Sequence, residues 1–206
     1  MNYLQFKKRF SAALCFTTQQ IIAVEPKFQN NNLSRWVNQG LLIRLRRNWY
    51  TFPENLQMAG IHYYLARRIY QPSYISLETA LAYYGLIPEA VREITCVTSQ
   101  KTQRFENPFG IFDYRSLTPE RFFGYQSIQQ DEKRSILMAE PEKALLDLLY
   151  LNPFYDSPEA IEGLRLDCDI CLELVNLTRL QDYAKAFSNK ALQQRSENLI
   201  KWIEQC

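Results

Sequence analysis

Glycine is scarce in this 206-residue chain, and its six glycines are widely scattered. None of the known glycine-rich phosphate-cradling loops can be assembled from that pattern. Histidine is scarcer: His62 stands alone beside Ile61 and Tyr63-Tyr64, with no serine or cysteine motif around it. A histidine-based catalytic pair is not expected. No apolar run approaches the roughly 18 residues needed to cross a bilayer. Lys7, Lys8 and Arg9 interrupt what would be the apolar core of a signal peptide. The chain is therefore expected in the cytoplasm, where thiols stay reduced. Five cysteines, an odd number at irregular spacing, point away from a disulfide framework. Internal repeats and low-complexity tracts are absent from the sequence.

The N-terminal quarter also lacks acid. Residues 1–52 carry eight Lys/Arg against Glu25 alone, whereas residues 71–206 carry fourteen Lys/Arg against twenty Asp/Glu. The length suits one large domain or two small ones. The charge split suggests the latter: a basic module, residues 1–55, joined to a mildly acidic one, residues 56–206. Such a basic end favours a polyanionic partner.

The stretch from Lys27 to Phe52, KFQNNNLSRWVNQGLLIRLRRNWYTF, reads as a short helix, a stop and a basic ribbon. Asn31 or Asn32 can cap the helix through its side-chain oxygen. Leu33, Trp36 and Val37 fall at i, i+3 and i+4, leaving Ser34, Arg35 and Asn38 on the polar face. Gly40 stands where a left-handed residue would end the helix. Leu41, Ile43 and Leu45 alternate with Leu42, Arg44 and Arg46, which predicts a strand. Arg47-Asn48 suits a tight turn, and Trp49 to Phe52 supplies the returning strand.

Before this stretch, Tyr3, Leu4, Phe6, Phe10, Ala13 and Leu14 form a helical apolar stripe. Thr17 or Thr18 caps a second helix over Gln19 to Val24, and Pro26 stops it. Three helices followed by a hairpin give the outline of a winged helix-turn-helix. After the boundary at Pro53, helices are expected over Leu56 to Tyr70, with Arg67-Arg68 outward, and from a Ser76 cap to Gly85. Strands are expected at Ile94 to Thr98, Ile111 to Arg115, Phe122 to Ile128 and Ile136 to Ala139. Pro141 opens a helix to about Leu151 with Ala144, Leu145, Leu148 and Leu149 inward. Two more helices, Pro158 to Asn176 and Leu180 to Gln205, close the chain. The fold class is thus α+β, a winged helix-turn-helix followed by an α+β domain with a small sheet.

Several residues could carry chemistry, and each has a plainer reading. Arg44, Arg46 and Arg47 could merely guard a strand edge. With Lys27 and Arg35 nearby and almost no acid, phosphate contact is the better reading. Asparagine and glutamine pair bidentately with adenine, so Gln29, Asn30, Asn31 and Ser34 are candidates for base contact at the helix start. Trp36 and Trp49 read as core. Cys168 and Cys171 have the spacing of a metal half-site, but no second pair exists to complete about four ligands. They read instead as packing on one helical face. Asp113, Glu140, Glu142 and Lys143 are the best carboxylate–lysine set. They could serve a metal-dependent nuclease, or Glu142-Lys143 could simply begin an exposed helical turn.

The order of GLLIRLRRNWYTFP, YISLETALAYYGLIPE, ITCVTS and AEPEKALLDLLY resembles the AbiEi-type antitoxins of abortive-infection and type IV toxin–antitoxin systems. The resemblance spans about residues 3 to 151. Family members often carry glycine where this chain has Arg47-Asn48. The resemblance implies a winged-helix DNA-binding domain, autorepression of a toxin operon and an antitoxicity domain that is not an enzyme. The partners it implies are double-stranded operator DNA with inverted repeats and a nucleotidyltransferase-like toxin. No cofactor, metal or membrane is expected. The alternative is a nuclease that uses the basic domain for delivery.

Overall fold

The computed structural model, which describes residues 1–88, 91–132 and 134–206, begins with a capped helix. In α1 (Tyr3–Phe10), Asn2 accepts from the Gln5 amide while Gln5 returns the bond, a capping box. Thr17 and Gln20 repeat that device at the start of α2 (Thr18–Val24). Then come α3 (Asn31–Asn38), β2 (Ile43–Arg46) and β3 (Trp49–Thr51), with a short β1 (Phe16–Thr17) between the first two helices. The sheet order is β1-β3-β2, all antiparallel. The turn residues behave as expected: Gly40 has φ +69° and Asn48 φ 66°. The amides of Leu41 and Leu42 close on the Trp36 carbonyl at 2.8 and 3.2 Å, which satisfies the end of α3.

These elements enclose a core of their own, formed by Phe6, Phe10, Phe16, Ile21, Phe28, Leu33, Trp36, Leu42, Tyr50 and Phe52. Trp36 is 2% exposed, and its ring lies 4.8 Å from Phe6, 5.5 Å from Tyr3 and 5.8 Å from Phe28. Two expectations need correction here. Leu4 is not on the apolar stripe but 76% exposed, because α1 turns only Phe6 and Phe10 fully inward. Neither Asn31 nor Asn32 caps α3. Asn30 holds the cap position in helical conformation without a side-chain bond, and the amides of Asn32 and Leu33 close on Gln29 and Asn30 carbonyls instead. The strand β1 was not anticipated, since two residues leave no periodicity to read.

The second core gathers around a six-stranded sheet of order β6-β7-β5-β4-β9-β8. Its strands are β4 (Ser73–Ile75), β5 (Glu93–Thr98), β6 (Gln103–Asn107), β7 (Gly110–Ser116), β8 (Tyr125–Gln129) and β9 (Ser135–Ala139). Pairs β4/β9 and β5/β7 are parallel, and the rest antiparallel. Around it lie α4 (Ile61–Ile69), α5 (Leu77–Tyr83) and α6 (Pro141–Leu151), then α7 (Pro158–Glu162), α8 (Cys168–Leu174), α9 (Leu177–Ala186) and α10 (Lys190–Ile203). The protein is therefore α+β, and α6 is buried along its length.

Differences from the sequence reading have local causes. The helix expected from Leu56 begins at Ile61, because Pro53–Gln57 forms a 3-10 turn and Gly60 sits at φ +67°. Arg67 and Arg68 are half-buried rather than outward, and Arg67 donates to the Ser135 hydroxyl at 2.9 Å. Ser76 precedes α5 but does not cap it, its hydroxyl being engaged by Asp147. β8 starts at Tyr125 because Gly124, at φ +69°, turns the chain there. The last two expected helices are four, broken at Arg165 (φ 53°) and Ser188 (φ 50°) and restarted by the caps Asp167, Asn176 and Asn189. Cys168 is disulfide-bonded to Cys206, contrary to the expectation of reduced thiols, because α8 and the end of α10 are brought together. Cys171 is free and buried. No helix among the described residues is long and apolar enough to cross a membrane.

Replacing Trp36 by alanine removes the central ring of the smaller core. The expected cost is about 3–5 kcal/mol, read as a shift in the denaturant midpoint of the full chain. An unchanged midpoint would mean that the ring is not structural.

Candidate nucleic-acid interface

The fixed rotation of α3 decides which of its residues are presented. Leu33 and Trp36 face inward, so Asn31, Ser34, Arg35 and Asn38 are exposed. Lys27, Gln29 and Asn30, just ahead of the helix, are exposed as well, as are Arg44 and Arg47 of the hairpin. Within this set the Arg35 guanidinium donates to the Asn32 side-chain oxygen at 2.9 Å, which steadies it across one helical turn.

The distribution of ion pairs is uneven. Lys7 pairs with Glu54, and Arg9 with Glu25 at 3.0 Å. The two acids closest in sequence to this unit therefore serve α1. Among the described residues, no carboxylate pairs with Lys27, Arg35, Arg44 or Arg47. The hairpin and the helix before it keep their full positive charge.

Arg46 stands apart from the other candidates. A register shift between Arg44 and Arg46 interrupts the β2/β3 ladder, as a bulge does, and re-aims the side chain. The Arg46 guanidinium donates to the Ile69 carbonyl at 2.8 Å and stacks 4.9 Å from Phe105 and 5.3 Å from Tyr70. Its Nε is buried without a partner. Leu45 beside it is buried in the larger core, and the Leu45 carbonyl accepts from Asn107 at 3.1 Å. Arg46 thus ties the hairpin to the larger sheet instead of projecting with Arg44 and Arg47. The sequence offered no signal for this, since Arg44 and Arg46 fall on the same face of the expected strand alternation.

The chain matches no protein-family model and no curated protein.

Asp113 is held apart from the other members of the candidate carboxylate–lysine set. Asp113 lies on β7 in a shallow pocket with Glu78, Glu93 and Arg115, and burial raises its pKa. Glu140 follows β9, three strand spacings or roughly 14 Å across the sheet. Glu140 accepts from the Tyr183 hydroxyl at 2.5 Å, and Glu142 accepts from the Asn176 amide at 2.7 Å. No cluster of three or more metal-ligating side chains exists among the described residues. His62 is half-buried against the Tyr63 ring, where desolvation lowers its pKa. Trp49 is half-buried in the hairpin.

Sequence reasoning missed a buried polar network. Far from beginning an exposed turn, Glu142 and Lys143 are 0% exposed, as is Asp147 one turn later. Lys143 pairs with Asp147 and donates to the Tyr74 hydroxyl at 2.8 Å. Its Nζ lies over the rings of Phe187 at 4.6 Å, Phe123 at 5.2 Å and Tyr74 at 5.3 Å. Asp147 also accepts from Ser76 at 2.8 Å and Tyr74 at 3.0 Å. Desolvation lowers the Lys143 pKa and raises that of Asp147, while their mutual attraction opposes both shifts. The i, i+4 spacing of Lys143 and Asp147 was readable in the sequence. Its burial was not.

Asp147→Ala should cost on the order of 3–5 kcal/mol, because it strands a buried ammonium. The remaining Lys143 would then have its pKa depressed further below 10.5. Between the depressed and the ordinary value the unfolded chain binds more protons, so the variant's stability should rise with pH across that window. Denaturation at pH 7 and pH 10 measures it, and a variant equally stable at both values contradicts the assignment.

Proposed function

We propose that residues 1–52 form a winged helix-turn-helix that binds duplex DNA, with α2 and α3 as the turn motif and the β2–β3 hairpin as the wing. One observation carries the reading. The nearby acids neutralise α1, while Lys27, Arg35, Arg44 and Arg47 stay exposed, with no carboxylate partner among the described residues, and Gln29, Asn30, Asn31 and Asn38 present exposed side-chain amides. Cations of that kind bind phosphates by displacing counterions, and side-chain amides at a helix start can read base edges. In this reading the chain is a transcriptional autorepressor and antitoxin of a type IV toxin–antitoxin operon. Residues 56–206 supply the antitoxicity against a nucleotidyltransferase-like toxin. Arg46 is assigned to the junction with the larger sheet and not to phosphate contact.

Two measurements test the parts separately. Binding of the full chain to DNA from its own promoter should fall steeply with salt, at about −0.9 in log–log slope per phosphate neutralised. Arg44→Ala and Arg47→Ala should each reduce that slope by about one. Arg46→Ala should instead lower thermal stability. A flat salt response, or wild-type binding by the Arg44/Arg47 double variant, would sink the DNA-binding reading.

Antitoxicity is read in cells expressing the cognate toxin from an independent promoter. The full chain should protect them, and the Arg44/Arg47 double variant should still protect. If protection disappears together with DNA binding, antitoxicity depends on the DNA-binding face and its assignment to residues 56–206 is wrong.

A further inference from the structure

A cavity of about 950 Å³ opens between the N-terminal unit and the larger one. That is at the upper end of the ~300–1,000 Å³ typical of small-molecule sites. Leu14 and Val24 line one side and Met58 another, so most of the wall is apolar. Three polar side chains meet within it: Cys15, Tyr64 and Arg68. Burial keeps the Cys15 thiol protonated, its pKa pushed up to about 11 with Arg68 opposing. Desolvation likewise raises the Tyr64 pKa, which keeps that hydroxyl a donor. The Arg68 guanidinium has no carboxylate partner among the described residues, and its Nε is buried without an acceptor. The other charged groups on the lining differ. Arg134 is held by Asp131 at 2.5 Å and by the Ala59 carbonyl at 2.9 Å, and Glu132 is exposed to solvent.

An apolar cleft that holds a guanidinium with no carboxylate partner among the described residues and a buried Nε with no acceptor is complementary to a molecule with an apolar body and one anionic head. We propose that this cleft binds a medium-chain monocarboxylate, with the carboxylate on Arg68 and Tyr64 and the chain along Leu14, Val24 and Met58. A buried guanidinium–carboxylate contact is charge-assisted and selects against alcohols and amines of the same length. Because the lining comes from both units, the occupant would brace one against the other. The proposal does not rest on the DNA-binding reading.

Decanoate, kept below its micelle concentration, is the probe, titrated calorimetrically into the full chain beside decan-1-ol and decylamine. The expected result is saturable 1:1 binding of decanoate and at least tenfold weaker binding of the other two. Arg68→Met should weaken decanoate at least about tenfold, the loss expected for a charge-assisted bond, and abolish the preference over the alcohol. Ala23→Trp fills the cleft from an exposed position on α2 and should remove binding while leaving the melting temperature unchanged. It keeps the test decisive if Arg68→Met fails to fold. No decanoate binding, equal affinity for all three compounds, or undiminished binding to Ala23→Trp overturns the proposal.

Discussion

The larger unit depends on how α6 keeps its charges while buried. A helix covered on all sides cannot send a lysine or an aspartate to water, and an unpaired ion in that environment costs several kcal/mol. Lys143 and Asp147 meet each other one turn apart, with further hydrogen bonds to Tyr74 and Ser76 and aromatic rings over the ammonium supplied from elsewhere. Tyr74 and Ser76 come from β4 and the start of α5, Phe123 from the turn before β8, and Phe187 from the end of α9. The neighbouring carboxylates extend the pattern: Glu140 holds Tyr183, and Glu142 holds the amide that begins α9. Satisfying one buried ion pair therefore fixes the positions of four separate segments. Ser76 directs its hydroxyl to Asp147 and makes no capping bond to the α5 amides.

Arg46 does comparable work between the two units. Its neighbours on the hairpin remain bare, whereas Arg46 lies against Tyr70 and Phe105 with its guanidinium on the Ile69 carbonyl. The bulge at Leu45 makes this possible by turning two consecutive side chains toward the larger sheet. The hairpin thus sends Leu42 into the small core and Leu45 into the large one. Its orientation is set by packing on both, a constraint that a flexible tether at Pro53 would not impose.

Sequence alone revealed most of the N-terminal unit and much less of the rest. Two residue-level signals were strong there: the Thr17-Thr18 pair, of which Thr17 caps α2, and Gly40 and Asn48 at the two positive-φ turns. The exposed face of α3 followed from the Leu33, Trp36, Val37 spacing. The larger sheet was legible in the longer apolar strands, as in ITCVT and SILMA, and missed in β4, whose three residues are too few to show a period, and in β6, whose QRFEN sequence carries no burial pattern. The C-terminal helices were merged because their breaks lack proline and a positive-φ glycine, Arg165 and Ser188 taking positive φ in its place. The caps at Asp167, Asn176 and Asn189 were the available signal. Arg46 and Lys143 show the limit more sharply. Both look like surface charges in sequence, and only tertiary neighbours distant along the chain make them interior.

The two edges of the six-stranded sheet bear on how the larger unit can meet a partner. An edge strand with free backbone groups is a template for strand addition unless it is short, charged or covered. β6 displays Gln103, Arg104 and Glu106 outward, with Arg104 paired to Glu93, and β2 of the hairpin lies beside it. β8 exposes Gln126, Ser127 and Gln129. Both edges are five residues long and polar along their exposed faces. Strand addition is disfavoured at the β6 end, which is charged and has β2 beside it. On the helical side, Leu172 of α8 and Phe154 in the loop after α6 stand exposed at 58% and 64%, apolar side chains available to a protein surface.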